Sequence, residues 1–176
     1  FSGAGPGPEF DCEREALEDD DKCILHSEDS EKNDEAFEGA LKEHQEKYSS
    51  DYRKIVFPGR VDFFGVTFTT KAYFTRAIFR GEADFRFASF AAGVDFWNAT
   101  FTKKAHFQDS IFVHDGRFDG SVFKEEADFF HATFRQTASF TDVVFKKETR
   151  FSNAVLEGAY FNDAVFMGQV DFYNVR

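Results

Sequence analysis

One residue type on an uneven ruler limits what this chain can become. From Phe57 the marks fall at 63, 68, 74, 79, 85, 90, 96, 101, 107, 112, 118, 123, 129, 134, 140, 145, 151, 156, 161, 166 and 172, and each is Phe except Leu156. Gaps of six and five alternate from 57 through 156. Two residues before each later mark stands a small or β-branched residue, from Val61, Val66, Ala72 and Ala77 to Ala159, Ala164 and Val170. The unit is small-x-Phe-x-x, with one extra residue at every second corner. Such a fixed period signals a repeat architecture. An eleven-residue period also suits a right-handed coiled coil. On a helix, however, marks five apart would lie about 140° apart at about 100° per residue and form no stripe. In an extended chain alternate side chains share a face, so the small residue and the Phe point the same way. Thr, Val, Asp and Gly fill the remaining positions, as short strands and turns require. The spacing predicts stacked short strands with Phe pointing inward.

The stretches "ADFRFASF", "ATFTKKAHF" and "EADFFHATF" resemble pentapeptide-repeat proteins, whose consensus is Ala-(Asp/Asn)-(Leu/Phe)-x-x. The resemblance covers about residues 55 to 176. It implies an all-β solenoid, a right-handed quadrilateral β-helix with a Phe column on each inner side. This chain departs from the family by its extra residues, which give 22 residues per coil and predict bulges at two opposite corners. About five coils follow, a stack ~25 Å tall at about 4.8 Å per rung. The five-residue gap from Leu156 to Phe161, where six is due, predicts an altered corner at Glu157 and Gly158, with Gly158 serving a tight turn.

Charge divides the chain at residue 51. Residues 1 to 50 hold 16 Asp/Glu against 5 Lys/Arg, whereas residues 51 to 176 hold 16 of each. Residues 1 to 10, small and Pro/Gly-rich, are expected to be a cloning remnant, and 11 to 50 an acidic N-terminal extension. Within it, residues 31 to 47 set Phe37, Ala40, Leu41 and His44 on one helical face, with acids early and lysines late. Solenoid ends need covering. This amphipathic helix is expected to cap the first coil near Phe57. No comparable cap follows Phe172, so the C-terminal coil is expected to continue into further chain or to meet a partner, such as a second copy in a homodimer.

Cys12, Cys23 and His26 form C-x10-C-x2-H, a ligand set that suits zinc. "CEREALEDDDKCILH" also resembles the second half of small zinc knuckles, which carry a further Cys upstream that this sequence lacks. The alternative is two thiols packed beneath the cap helix. Apart from zinc no cofactor is indicated. Two cysteines are too few for a disulfide framework, which favours a reducing cytoplasm, and no apolar run is long enough for a membrane span.

At a period of 22, outward residues Asp62, Asp84, His106, Asp128, Arg150 and Asp171 align. A His between carboxylates has acid–base character, yet no nucleophile accompanies it, and catalysis is not expected. Ile78, Thr100, Val122, Val144 and Val165 form a second outward column, beside exposed Phe64 and Phe130. These are the candidate interaction surface. No phosphate loop or basic stripe points to nucleic acid. The sequence therefore reads as a non-catalytic scaffold for an unknown protein partner. The resemblance supplies an alternative, since some acidic family members mimic DNA and modulate DNA gyrase. That role needs a negative rod, and residues 51 to 176 are neutral.

Overall fold

The computed structural model describes residues 22–29 and 32–176. It is a parallel β-solenoid of about five coils preceded by one helix. Nearly every strand is two residues long, and it either ends on the ladder Phe, as in Thr67–Phe68, or begins at the small position with the Phe following it, as in Ala83–Asp84 before Phe85. Four faces repeat. The first runs through Val56–Phe57, Ile78–Phe79, Thr100–Phe101, Val122–Phe123, Val144–Phe145 and Val165–Phe166. The second runs from Val61–Asp62 to Val170–Asp171, and the third begins at Thr67–Phe68. The fourth begins at Ala72–Tyr73. Partners are offset by 22 residues, as in Ile78 against Thr100 and Ala105 against Ala127.

The uneven ruler maps onto the corners. Each five-residue gap other than the one from Leu156 to Phe161 is a tight turn closed by a backbone bond to the carbonyl three residues back, for example Ala77 to Phe74 at 2.9 Å. The second turn residue takes a left-handed conformation every eleven residues, from Lys54, Gly65 and Arg76 through Asn98 to Asn153. The six-residue gaps are the wide corners, and they occupy opposite corners as the extra residues predict.

The rings stack in columns. Phe112 and Phe134 have centroids 4.1 Å apart and planes 4° apart, and Phe101 and Phe123 lie 4.5 Å apart at 2°. Neighbouring columns meet edge to face, as Phe107 does with Phe118 at 5.6 Å and 88°. Both geometries suit the aromatic quadrupole. The fourth column starts one mark earlier than Phe57, at Tyr52, which stacks on Phe74 at 4.6 Å and 4°. Ladder rings from Phe57 through Phe151 are buried. In the last coil Phe161 and Phe166 are half-buried and Phe172 is exposed, because no ring lies above them.

The helix α1 spans Asp34–Tyr48, with the Asn33 side chain accepting a hydrogen bond from the Ala36 N–H at 2.8 Å. It buries Phe37, Ala40, Leu41 and His44, and the Phe37 ring meets Phe57 edge-on at 6.1 Å. Residues 22–29 add an unforeseen second part to the cap. Leu25 is fully buried and its carbonyl accepts the Val56 N–H at 2.8 Å, as Ile55 accepts from Ile78 one coil later. The buried Lys32 ammonium donates to the carbonyls of Val56, Ile24 and Ser27 and lies 4.6 Å over the Phe37 ring. The first strand's edge thus gains partners.

The altered corner is present but is not a tight turn. Thr133–Ser139 and Val155–Tyr160 are continuous strands across it, with a register shift between Phe134 and Thr137. Gly158 is not left-handed, so the missing residue is absorbed by straightening the chain, and the change already begins one coil earlier at Arg135–Thr137.

Candidate functional site

The outward face bearing Asp62, Asp84, His106, Asp128, Arg150 and Asp171 is in register. Within it Arg150 pairs with Asp128, and the other carboxylates are met by neighbouring arginines or backbone N–H groups. Asp84 is buried and accepts from Arg86 at 2.6 Å and from Arg60 at 3.1 Å. Burial pushes the Asp84 pKa up, but the Arg86 side-chain and backbone bonds and charge override it and hold the carboxyl below its ordinary value. Asp128 accepts from Gln108 at 2.8 Å and lies 3.5 Å from Arg150. His106 Nδ1 lies 3.5 Å from the Gln108 amide nitrogen. The shallow groove here is lined by Lys104, His106, Glu126, Asp128, Glu148 and Arg150, with Lys104 bonded to Glu126. Nothing in it is a nucleophile aligned with a base, so the arrangement is an ion-pair ladder.

The second predicted column is also in register, through Ile78, Thr100, Val122, Val144 and Val165. Ile78, Val122 and Val144 are half-buried by their own column, and only Val165 is exposed. Phe64 and Phe130 share a corner column but stand three coils apart. Phe130 is half-buried, with the Arg150 guanidinium 4.1 Å over its ring and His131 stacked on it at 4.2 Å.

Phe64 has a different partner, one missed in the sequence. Phe87 meets it edge-on at 5.3 Å, and Arg86 lies 5.5 Å over the Phe64 ring. Both rings face solvent, Phe64 at 52% and Phe87 at 54% exposure. Phe87 occupies the left-handed turn position, φ 56°, where eight of the twelve equivalent tight corners carry Gly, Asn or Asp. A bulky residue there costs roughly 1–2 kcal/mol. The signal was available as a Phe off the ladder at a left-handed corner, but it needed the corner geometry to be known.

At the cap, the turn 23–27 brings the Cys23 sulfur to 3.2 Å from His26 Nδ1, while His26 Nε2 lies 3.3 Å from the Arg53 carbonyl. Cys12, the third predicted ligand, lies outside the described residues. Among the described residues no three His, Cys, Asp or Glu side chains converge as a metal site, and no helix is long and apolar enough to cross a membrane.

A family model described as pentapeptide repeats (9 copies) matches residues 74–122 and 129–176. The chain is a pentapeptide-repeat protein. No curated protein and no solved structure matches it. Pentapeptide-repeat solenoids are generally non-catalytic, and their interior here is filled by rings, which leaves the outer surface for function.

Proposed function

We propose that this pentapeptide-repeat protein is a non-catalytic interaction scaffold of a reducing compartment, the cytoplasm, and that the Phe64–Phe87 corner docks a protein partner. One observation carries this reading. Two large rings pack on each other in solvent, and one is held in a backbone conformation that a smaller residue would occupy at lower cost. Strain kept at a surface position, without benefit to the core, supports selection for contact rather than for stability. Paired aromatics beside an arginine also have the composition of binding hot spots.

The test separates stability from binding. Phe87→Asn relieves the left-handed strain, so stability is expected to hold or rise by up to about 1 kcal/mol. Affinity capture from the source cell should recover a partner with the wild-type chain and lose it with Phe64→Ser/Phe87→Asn. Identical recovery by both would overturn the assignment of this corner.

A further inference from the structure

We propose that the second and third faces of the first coil receive an extended protein segment by strand addition, one that sets Lys or Arg between apolar residues. The inference rests on the reading of the Phe64–Phe87 corner as a docking surface, and it names the kind of segment received beside that corner.

The cap closes only half of the coil's edge. On the first face the Leu25 carbonyl accepts from Val56 at 2.8 Å, and on the fourth the Ser50 carbonyl accepts from Tyr73 at 2.9 Å. On the second face the carbonyls of each coil accept from the coil before it. Glu82, Asp84 and Arg86 take the N–H groups of Val61, Phe63 and Gly65 at 2.9, 2.8 and 2.9 Å. The equivalent carbonyls of the first coil belong to Arg60, Asp62 and Phe64, and no described residue donates to them. On the third face the direction reverses, since Ser89 and Ala91 donate to Val66 and Phe68 at 2.9 and 3.0 Å. Their equivalents, Thr67 and Thr69, donate to no described residue. The edge thus presents three acceptors and then two donors, in the register that a preceding coil would use. An edge that meets only water is ordinarily blunted by charge, proline or a bulge. This one carries exposed Phe64 and Val66 at its centre.

Beside it a groove of about 510 Å³ runs between Phe37, Glu38 and Leu41 of α1 and Phe57, Val61 and Phe63 of the coil. In an added strand alternate side chains point inward, to this groove, and the one between them points outward beside Asp62. The charge of the rim decides what that residue is. Asp34, Glu38 and Asp62 line the groove and form no ion pair among the described residues, whereas Arg60 is held on buried Asp84 at 3.1 Å. A cation between two apolar residues matches both the rim and the floor.

The probe is a phage-displayed library of random peptides about twelve residues long, enough to follow residues 60–69, selected against the full chain. Enriched peptides should alternate apolar residues with Lys or Arg. Glu38→Lys/Asp62→Asn should weaken them about five- to tenfold, because two rim charges are lost while position 62 keeps the side-chain acceptor used by the Phe64 N–H. In the complex, hydrogen exchange at the Thr67 and Thr69 N–H groups should slow at least about tenfold. Unchanged exchange at these two groups would overturn strand addition. Peptides that are acidic, or that bind the charge variant equally well, would overturn the basic segment. Phe64→Ser/Phe87→Asn leaves the groove and the backbone acceptors in place, so it should still bind the peptide. Partner capture unchanged in that variant, with peptide binding intact, would overturn the corner alone.

Discussion

At the N-terminal end of the stack Phe57 is 2% exposed, and at the C-terminal end Phe172 is 45% exposed, although both are ladder residues with a ring stacked on one side. The difference lies in what each column end meets. Around Phe57 stand Phe37, Leu41 and Leu25, and Lys32 and Leu25 supply hydrogen-bond partners to the first strand. Around Phe172 the neighbouring Met167 and Tyr173 are exposed as well. A ladder Phe is therefore core by position and not by identity, because apolar stabilisation scales with the area removed from water. A ring between two coils loses both faces to protein; one on an open coil loses one.

The largest test of this comparison pairs the middle with the open end. Phe112 stacks on Phe90 and Phe134, so Phe112→Ala should cost roughly 3–5 kcal/mol. Phe172→Ala should cost under about 1 kcal/mol, since its ring is already half in water. Urea midpoints of the two variants measure the difference, and equal losses would break the comparison.

Next in size is the cap. Phe37→Ala should cost about 2 kcal/mol, less than a ladder ring, because the helix can detach while the coils below persist. Hydrogen exchange should show faster exchange through α1 and the first coil, with the central coils unchanged. Uniform acceleration through all coils would show that the cap is not a separate layer.

The alkaline limb sharpens the same contrast. Burial pushes the Tyr52 hydroxyl above its ordinary value of 10.0, against a lowering from its bond with Gln45. A group whose folded pKa is raised contributes stability that is present below the unfolded pKa and lost as pH rises through the folded one. Above about pH 10 the cap should therefore loosen, and Tyr52→Phe should remove that loss while costing about 1 kcal/mol at neutral pH for the Gln45 bond, 3.2 Å long. Alkaline melting unaffected by Tyr52→Phe would place the sensitive group elsewhere.

The parts legible in the sequence were those written by period. Phe at every mark, small residues two before it and the apolar face of α1 all follow from one-dimensional spacing. Tyr52 keeps the ruler's five-residue gap to Phe57 but escaped a ruler drawn in Phe alone. Its hydroxyl explains the exception, since it reaches Gln45 of the cap where a Phe could not. Residues 22–29 carry no period, and their seat depends on an edge that exists only once the first coil has formed. The Phe64–Phe87 contact was hidden for a related reason. It crosses coils at an offset of 23 rather than 22, so no column drawn at the repeat length contains both rings.

The smallest expected effect concerns equivalent corners near the two ends. Gly93 is left-handed, φ 87°, and a Cβ there would come 3.0 Å from the Asp115 carbonyl oxygen. Gly158, one residue into the straightened corner of the last coil, has no left-handed φ, and a Cβ there would meet nothing within 4 Å. Glycine in an extended strand loses more backbone freedom on folding than alanine does. Gly158→Ala should therefore be neutral or stabilise by up to about 1 kcal/mol, whereas Gly93→Ala should destabilise because the new side chain meets both a strained φ and a carbonyl. Thermal midpoints of the two variants decide it. A clear loss at Gly158 would mean that the last coil keeps the wide corner of its neighbours, and that the missing residue is taken up elsewhere in the coil.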